Sequence, residues 1–441
     1  MAKQGELIAN GFNFPLENNQ ECTIKEFLGG GGQGEVYRVT IDGRNFALKW
    51  YFDRCQTSDL RNSLKVLIEK GAPSKAFLWP IRLVEYRGKF GYVMDLRPST
   101  YENSEGIISR ELNLSYTTVC NACLQLIDAF RQLHIGGLSY QDISWGNIFI
   151  DPQTGNVLIC DNDNVAPHGA TVAGISGTPG FMAPEIVRGE ARPDTYTDLF
   201  SMAVLIFRML FIEHPFNGRR YAEEECLDDD FRRKIYGYDP IFIYDPNNNA
   251  NRPDPDTQSN AEIFRKLYPK YLRDLFTTTF TKGLTDRQNG RPMEEAWINA
   301  FRRIRESIFP CPFCGVSVIY NDSTNKTIIC FKCMQNLNTP PRMKISTSRK
   351  ERILIINPNT KIYAYQLDPG LFDIEEGDVI VGEVAQNPKN PSVWGLRNLT
   401  GDNWFYSTAN GEEKSCAPNK AIVLNKELSI NFGTATGETL L

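Results

Sequence analysis

The pattern of apolar and polar positions changes along the chain, and the change predicts two lobes. Residues up to about 20 are polar, whereas residues 22–96 carry short strand-like runs separated by turns. Residues 59–70 interrupt these strands with a helical pattern. From residue 116 onward apolar residues recur at helical spacing, first at Val119, Cys123, Ile127 and Phe130. We therefore expect a small β-rich lobe followed by a larger α-rich lobe.

The pattern changes again after residue 217. Residues 217–260 contain runs of Asp, Asn and Pro, so we expect a solvated insertion rather than an acidic binding site. Helical spacing returns over residues 261–308, and a cysteine-rich stretch follows. Beyond it, strand and turn signals alternate to the end of the chain. The strands predicted there are 353–356, 379–382, 395–399, 421–424 and 428–433.

Length and composition limit the possibilities without pointing to a function. A chain of 441 residues is too long for one compact core, so two or more domains are expected. The net charge of -5 gives no electrostatic reason to expect nucleic acid or an anionic membrane as a partner. The longest apolar run is ended by Arg208, and the N-terminus lacks the apolar segment of a signal peptide. A cytoplasmic location is the expectation.

Six short motifs supply the chemistry. The glycine-rich run LGGGGQGEVY at 28–37 comes first, and FALK, ending at Lys49, follows it. YQDISWGN at 140–147 comes next, then the DND triplet that begins at Asp161, then APE at 183–185 and finally Arg291. Glycines let backbone N–H groups approach phosphates closely, and a lysine near them can reach the α- and β-phosphates. Carboxylates can hold Mg²⁺ or accept a proton.

In this order and spacing the motifs resemble the protein-kinase catalytic domain over residues 22–308. The resemblance implies that ATP binds between the lobes and that Asp142 accepts the proton of the acceptor hydroxyl. Asn147 and Asp161 would hold Mg²⁺, and Lys49 would complete the catalytic set. Met94 would be the gatekeeper beside the adenine. The ATP-binding residues implied are Gly29, Gly30, Gly31, Gly32, Gln33, Gly34, Val36, Ala47, Lys49, Met94, Asp95 and Leu96.

Other positions match the supports of that domain. Asp198 would brace the catalytic loop from below, and Arg291 would pair with Glu185 of the APE motif. In this family Lys49 pairs with a glutamate of the following helix, where Glu69 is the only candidate although it lies in the last turn. Small-molecule kinases usually lack the APE segment, so the resemblance favours a protein acceptor with a Ser or Thr hydroxyl.

The sequence also departs from the family pattern. Gln141 replaces the arginine that normally receives a phosphate on the activation segment, so activity is expected not to require phosphorylation there. Ser144 replaces the lysine that contacts the γ-phosphate in Ser/Thr kinases. Asp163 stands in the place of a glycine, and we expect it to face solvent rather than the metal. Two alternatives stay open: a pseudokinase that acts as a nucleotide-binding scaffold, and a small-molecule kinase.

Four cysteines form two C-x2-C pairs separated by fifteen residues. Each pair can place two thiolates on one tight turn, and two such turns complete a tetrahedral Zn²⁺ site with a structural role. The stretches 316–320 and 327–329 are expected to pair as a hairpin, which would make a zinc ribbon. Disulfides are the alternative, which a cytosolic location disfavours. Cys120 and Cys123 are interpreted as ordinary helix residues; the predicted ligands are Cys311, Cys314, Cys330 and Cys333.

The C-terminal segment predicts a small all-β sandwich that looks like a forkhead-associated domain around residues 395–411. That family binds phosphothreonine through an arginine after an early glycine, but Gly382 is followed here by Glu383, whose charge repels phosphate. The whole arrangement resembles bacterial eukaryotic-like kinases found with a PP2C-type phosphatase and a von Willebrand A-domain protein. The predicted class is α+β, organised as an N-terminal extension (1–21), kinase lobes (22–96 and 97–308), zinc ribbon (309–338), linker (339–351) and forkhead-associated-like sandwich (352–441).

Overall fold

The computed structural model describes residues 7–170, 177–321, 328–358, 360–387, 389–408 and 411–441. The chain folds into two compact units. The N-terminal unit contains the described residues up to Leu114, with Asn121–Lys266 and Arg273–Glu294. The C-terminal unit contains Ser115–Cys120, Leu267–Leu272 and Glu295–Leu441.

An antiparallel sheet opens the N-terminal unit, with strands in the order β1-β2-β3-β4-β6-β5. Side chains alternate across β4, so that Leu48 and Trp50 join a core on one face while Ala47 and Tyr51 join another core on the opposite face. The helix α1 covers the second face with the fully buried Leu64. The bounds are β1 Asn13–Pro15, β2 Glu21–Gly30, β3 Gly34–Ile41, β4 Arg44–Tyr51, α1 Ser58–Lys70, β5 Arg82–Tyr86 and β6 Lys89–Asp95.

The first strand corrects one sequence-based boundary. Residues 1–21 were predicted to be a separate extension, but β1 pairs with β2 and buries Phe14 in the core of the sheet. The ring of Phe14 lies 4.7 Å from the indole of Trp50, centroid to centroid. Phe12, Phe14 and Leu16 do alternate with the period of a strand, but only three apolar positions take part and polar residues surround them, which is why the sequence pattern missed this pairing.

Helices dominate the rest of the N-terminal unit. The helix α5 begins with a capping box, in which the Asp194 carboxylate accepts from the Thr197 N–H, and most of its residues are buried. Among the described residues, no helix is both long enough and apolar enough to cross a membrane. The elements are β7 Glu102–Asn103, α2 Gly106–Ser109, α3 Tyr116–Ile135, β8 Leu138–Ser139, β9 Ile148–Ile150, β10 Val157–Ile159, β11 Ala166–Pro167, α4 Pro184–Val187, α5 Thr195–Phe211, α6 Arg219–Ala222, α7 Asp229–Arg233, α8 Ser259–Leu267, α9 Lys270–Phe280 and α10 Arg287–Gly290.

The last long helix, α11, packs in the C-terminal unit from Glu295 onward. Arg305 forms a bidentate pair with Asp378, at 2.6 and 2.9 Å, and its guanidinium lies 4.0 Å from the Tyr363 ring centroid. Such a pair gives directional as well as electrostatic stabilisation. The kinase boundary predicted at 308 therefore falls one helix later than the division between the compact units. The bounds are α11 Glu294–Ser307, β12 Ile308–Pro310, β13 Ser317–Ile319, β14 Ile328–Ile329 and β15 Asn336–Leu337.

Two antiparallel sheets form the rest of the C-terminal unit, with strand orders β17-β16-β25-β24-β21-β22 and β18-β19-β20-β23. They share a core around the buried Trp404, Leu396 and Ile345. Residues 339–351 are not the predicted linker, because β16 lies between β17 and β25 and buries Met343 and Ile345. The bounds are β16 Arg342–Thr347, β17 Glu351–Ile355, β18 Lys361–Tyr363, α12 Ala364–Leu367, α13 Ile374–Gly377, β19 Ile380–Asn387, β20 Asn390–Asn398, β21 Trp404–Ser407, β22 Glu413–Cys416, β23 Ala421–Val423, β24 Ser429–Asn431 and β25 Ala435–Leu440.

Candidate active site

A cavity of about 630 Å³ lies beneath the glycine-rich turn between β2 and β3, a size typical of small-ligand sites. Every residue that the sequence predicted to bind ATP lines it. Asp142 and Asp161 line it as well, whereas Asn147 does not. The additional residues on its wall are Leu28, Leu78, Arg97, Gly146, Phe149, Cys160, Asn164 and Gly177.

The glycine-rich turn leaves its backbone open on one side. A Cβ added at Gly29, Gly31 or Gly32 would meet nothing within 4 Å, so this space is available to a bulky group close to the main chain. Gly34 is different, because a Cβ there would lie 2.2 Å from the carbonyl oxygen of Trp50. The turn thus needs glycine at position 34 for packing, whereas Gly29, Gly31 and Gly32 leave space beside the main chain.

Cross-strand register places three chemically important side chains on one face of the sheet. Lys49 pairs with Val36 on β3 and with Tyr92 on β6, and Tyr51 lies two residues further along β4. Residues paired across strands, or two apart on one strand, point to the same side. The sheet therefore directs Lys49, Tyr51 and Tyr92 together toward the region beneath the turn.

The Lys49 ammonium group is buried among acceptors, with only 6% of its side chain exposed. Its Nζ lies 3.2 Å from Oδ1 of Asp161 and 3.0 and 2.9 Å from the two oxygens of Asp163. It also donates to Oε1 of Gln33 in the glycine-rich turn, at 3.1 Å. Burial by itself would lower the pKa of Lys49, but the Asp163 and Asp161 carboxylates outweigh burial and hold it above its ordinary value.

Asp163 corrects two expectations. Its side chain is 1% exposed instead of facing solvent, because its carboxylate also accepts from the hydroxyls of Tyr51 (2.6 Å) and Tyr92 (3.2 Å). Glu69, the predicted partner of Lys49, is exposed on α1. Among the described residues, the ion pairs of Lys49 are with Asp161 and Asp163.

The catalytic-loop residues lie at the edge of the same cavity. The Asn147 amide donates to the main-chain oxygen of Asp142 at 2.9 Å and to its Oδ2 at 3.2 Å. The Thr178 hydroxyl donates to Oδ1 at 2.6 Å. Burial raises the pKa of Asp142 above its ordinary value, although the hydrogen bonds from Thr178 and Asn147 oppose the rise. A held carboxylate with a raised pKa suits proton acceptance.

Asp198 braces this loop from α5, as the sequence predicted. Its carboxylate accepts from the backbone N–H groups of Tyr140 (2.6 Å) and Gln141 (3.1 Å). His134 of α3 bonds to Asp198 through Nε2 at 3.1 Å and to Glu294 through Nδ1. Burial would lower the pKa of His134, but the two carboxylates raise it to about 9, so the ring is protonated at neutral pH.

The APE motif is anchored by a buried pair. The Arg291 guanidinium binds the Glu185 carboxylate with two parallel contacts, at 2.8 and 2.9 Å, and its side chain is fully buried. Arg291 also donates to the carbonyl oxygens of Gly283 and Tyr196, so each of its three nitrogens has an acceptor. The predicted pairing of Arg291 with Glu185 is confirmed in this geometry.

These residues fit a nucleotide and its metal ion. The open glycine backbone, the Lys49 ammonium and the apolar Ala47 and Met94 match the phosphates and base of ATP. The Asp161 side chain is 44% exposed at the cavity wall, and oxygen donors of this kind are what Mg²⁺ binds. Asp161 has φ +50°, a conformation that non-glycine residues rarely adopt and that is concentrated at functional sites.

The four predicted metal-ligating cysteines also meet, within the C-terminal unit. Their Sγ atoms all lie within 4.8 Å of one another, and the Cys311–Cys333 and Cys314–Cys330 separations are 3.7 and 3.6 Å. Zn–S bonds of about 2.3 Å in a tetrahedron separate the sulfurs by about 3.8 Å, so the set fits Zn²⁺. A disulfide needs only about 2.05 Å, and all four thiols are free in the structure.

The two turns that carry these cysteines are alike, but the expected hairpin between them is absent from the described residues. Gly315 donates its N–H to the Cys311 oxygen, and Met334 does the same to the Cys330 oxygen, each with positive φ. β13 pairs with β12, and β14 pairs with β15, so each turn has its own hairpin. The alternation at 316–320 identified one strand correctly but could not identify its partner.

Sequence reasoning missed several contributors to the cleft. Tyr51, Tyr92 and Thr178 were not among the predicted site residues, although their hydroxyls donate to the carboxylates of Asp163 and Asp142. A signal for Tyr51 was available, because Tyr51 lies two residues after Lys49 and a strand continued beyond FALK would place both side chains on one face. For Asp163 the sequence offered a carboxylate in an unusual position, but only the fold brings residues 49 and 163 together.

Comparison with known proteins places this site in a family. The family model described as "Protein kinase domain" matches residues 22–291, more than half of the chain. Leucine-rich repeat serine/threonine-protein kinase 1 of Caenorhabditis elegans is 32% identical over 129 residues, which is 26% of this chain and 5% of that protein. G protein-coupled receptor kinase 2 of the same organism is 23% identical over 237 residues, covering 48% and 32%.

CBL-interacting protein kinase 4 of Oryza sativa subsp. japonica is 27% identical over 185 residues, covering 38% of this chain and 37% of that protein. The chain thus spans well under half the length of these curated relatives. The family match covers the glycine-rich turn, Lys49, the catalytic loop and the pair between Glu185 and Arg291. On this match and this geometry, the chain belongs to the protein kinase family.

Proposed function

We propose that this chain is an ATP- and Mg²⁺-dependent protein kinase that transfers the γ-phosphate to Ser or Thr hydroxyls of a protein. The observation that carries the proposal is the position of Asp142. Its carboxylate is held by Thr178 and Asn147 at the wall of the cavity that Lys49 and Asp161 also line. Base, phosphate-binding cation and metal-binding carboxylate thus surround one space.

The protein's part in the reaction is positioning and charge. The glycine-rich turn would receive the phosphates on its N–H groups, and Lys49 would hold the α- and β-phosphates. Asn147 and Asp161 would hold Mg²⁺, which neutralises the charge that develops on the phosphoryl group. Asp142 orients the acceptor hydroxyl and accepts its proton as the hydroxyl oxygen bonds to phosphorus and the ADP oxygen leaves.

A protein acceptor is favoured over a small molecule by the segment before α4. The Glu185–Arg291 pair anchors its end, and His214 accepts from the Phe216 N–H while donating to the Gly180 carbonyl oxygen at 2.6 Å. Burial and the charge of Arg208 lower the pKa of His214 to about 3, so it stays neutral in this role. A rigid segment beside the base is what a peptide needs as a docking surface.

Activity without phosphorylation of the activation segment is part of the proposal. Gln141 carries no charge that could bind a phosphate, and its amide donates instead to the Ala170 carbonyl oxygen at 2.8 Å. A neutral amide that already bonds to the segment can order it without a charge-assisted pair. The residues between 170 and 177 lie outside the described part of the chain.

The test is a transfer assay with the full chain, Mg²⁺, γ-labelled ATP and a generic protein acceptor. Wild-type protein should transfer label to itself or to the acceptor, and the amount of label should be the same with and without prior phosphatase treatment. Asp142→Asn should reduce label by about a hundredfold or more, as expected for loss of a general base. Its ATP affinity, measured by calorimetry, should be unchanged, because Asp142 is not proposed to hold the phosphates.

The outcomes separate the alternatives. ATP binding without label on any of several protein acceptors would favour the nucleotide-binding scaffold, and equal labelling by Asp142→Asn would remove Asp142 as the base. Label that appears only on small hydroxyl compounds would favour a small-molecule kinase. Activity lost on phosphatase treatment would overturn the role given to Gln141.

We further propose that the four cysteines bind a structural Zn²⁺ and that the C-terminal sheets form a forkhead-associated-like sandwich that docks a protein partner. Phosphopeptide binding is not expected there, because Glu383 lies 3.0 Å from Arg397 and neutralises it. A PP2C-type phosphatase, a von Willebrand A-domain protein and a cytoplasmic location stay predictions from the sequence.

A further inference from the structure

In the described residues, the buried carboxylate that faces Lys49 comes from the segment after β10 and not from the helix α1. The inward face of α1 carries Leu60, Leu64 and Leu67, spaced for one side of a helix. Its acidic residues, Asp59 and Glu69, are both exposed. Within α1, which is described along its whole length, no carboxylate is placed to pair with Lys49.

Asp163 has the geometry of a fixed counter-ion. Both of its oxygens lie within 3.0 Å of Lys49 Nζ, and both are further held by a tyrosine hydroxyl, from Tyr51 or Tyr92. The two tyrosines are buried and stand on neighbouring strands of the same sheet as Lys49. A carboxylate that is 1% exposed and accepts these hydrogen bonds has no solvent competing for it.

The covalent link between Asp163 and Asp161 adds a second consequence. The two residues bracket the buried Asn162, whose amide donates to the carbonyl oxygens of Leu78 (2.8 Å) and Ile159 (3.0 Å). A short helical turn, Asn162–Asn164, follows Asp161 directly. One rigid segment therefore presents the carboxylate that pairs with Lys49 and the carboxylate proposed to hold the metal.

We propose that Asp163 is the positioning residue for Lys49, taking the place of a helix glutamate, so that Lys49 and Asp161 are set together without any requirement on the placement of α1. This inference rests on the proposed function and deepens it. Where the counter-ion of the phosphate-binding lysine lies on a movable helix, movement of that helix can switch kinase activity on or off. Here the counter-ion is part of the sheet-and-turn framework, and regulation must act elsewhere, such as on acceptor docking.

The experiment is an epistasis test on Lys49→Met, Asp163→Asn and the double variant, with ATP affinity in the absence of Mg²⁺ as the first readout. If Asp163 acts through Lys49, Asp163→Asn weakens metal-free ATP binding in the wild-type background and has no further effect in the Lys49→Met background. In the transfer assay Asp163→Asn should lower kcat/KM for ATP by about tenfold or more, because misplacing a phosphate-binding group has large kinetic effects. Lys49→Met and Lys49→Met/Asp163→Asn should be equally slow.

Thermal unfolding provides a readout that does not depend on activity. Asp163→Asn leaves a buried ammonium group short of a counter-charge, so its unfolding midpoint should fall by about 4 °C or more, and the double variant should recover part of the loss. Tyr51→Phe and Tyr92→Phe, which each remove one donor to Asp163, should give smaller losses in the same direction. Glu69→Gln is the matched control and should match wild type in all of these measurements.

Three results would overturn the proposal. One is a loss of activity in Glu69→Gln comparable to that in Asp163→Asn. Another is a further loss of metal-free ATP affinity when Asp163→Asn is added to Lys49→Met. In the third, Asp163→Asn needs a higher Mg²⁺ concentration for phosphate transfer, while its ATP affinity without Mg²⁺ is unchanged. This result would make Asp163 a metal ligand. If wild-type protein transferred no phosphate, the proposed function would fail, but the metal-free binding and unfolding cycle would still decide the role of Asp163.

Discussion

The nucleotide cleft and the four-cysteine cluster are both built from groups that must be held close together, but they are assembled in opposite ways. Lys49 and Asp163 are 114 residues apart, and the fold of the N-terminal unit brings them within hydrogen-bonding distance. The cysteines lie within 22 residues of one another on two small hairpins with few buried apolar side chains. The cleft therefore depends on its surroundings for its geometry, whereas the cluster is expected to need the proposed metal ion to hold its hairpins in place.

The largest expected effect is removal of metal from the cluster. Chelation, or Cys330→Ser, should unfold the hairpins around residues 308–337, because structural zinc contributes about 10 kcal/mol or more of apparent folding free energy in small sites. Elemental analysis should find one zinc per chain in wild type and much less in the variant. Hydrogen exchange should rise in these hairpins, while ATP affinity, which depends on residues of the N-terminal unit, should stay within about twofold.

Cys226→Ser is the matched control, since Cys226 is an exposed cysteine outside the cluster. It should change neither metal content nor exchange. A Cys330→Ser protein that keeps full zinc content, or wild type purified without metal and with protected hairpins, would contradict the proposed site. Loss of ATP binding on chelation would show that the two regions are not independent, and the comparison would have to be abandoned.

The second prediction concerns a buried pair that supports the cleft region. Arg291→Met should lower the free energy of unfolding by about 3–5 kcal/mol, because it leaves the Glu185 carboxylate buried without its main counter-charge. Adding Glu185→Gln should restore part of the loss, since the buried charge is then removed. Urea unfolding, followed by tryptophan fluorescence, measures both effects.

Arg188→Met is the comparison variant here. Arg188 pairs with Glu190, whose side chain is 58% exposed, and such surface pairs contribute about 1 kcal/mol or less. Equal losses in Arg291→Met and Arg188→Met would mean that burial does not set the cost of breaking these pairs. If the double variant were no more stable than Arg291→Met, the carboxylate would have found other partners, Arg287 being the nearest at 3.1 Å.

The same contrast between local and long-range assembly explains which features of the fold and of the site could be predicted from the sequence and which could not. The structure brings together the motif residues that have fixed short spacing: the glycine-rich turn, Asp142 with Asn147, and the four cysteines. Helices with clear periodicity were also found, as in α1, predicted at 59–70 and observed at Ser58–Lys70. These features are set by local sequence, where turn chemistry and side-chain period act directly.

Partners across long distances were predicted less well. Glu69 was the candidate partner of Lys49 because the family resemblance places that partner on the following helix, yet the fold supplies Asp163 from another element. The residues of β16, RMKIST, were interpreted as part of a linker because they are mostly polar or charged. Only two apolar residues, Met343 and Ile345, carry the alternation of a strand, and both are buried. In both cases the sequence contained the right residue types but not the information on which element would pack against them.

The smallest expected effect is a pH dependence that has opposite signs in the two regions. The pKa of His134 is raised from 6.5 to about 9 by the carboxylates of Asp198 and Glu294, which outweigh its burial. A group whose pKa is higher in the folded state stabilises that state fully below the unfolded pKa. This contribution is therefore complete below about pH 6.5 and is lost as the pH rises through about 9. It amounts to about 3 kcal/mol.

Unfolding free energies measured between pH 6 and 10 should fall along this range in wild type, and the fall should be missing in His134→Gln. The cysteine cluster should behave in the reverse sense, because metal binding requires thiolates and weakens as the pH falls. The metal content of wild type should therefore decrease on the acid side, where His134 gives its full stabilisation. If the unfolding free energy of His134→Gln fell with rising pH as steeply as that of wild type, a group other than His134 would cause the fall. If the metal were lost at alkaline pH instead, the two regions would not respond to pH in opposite directions.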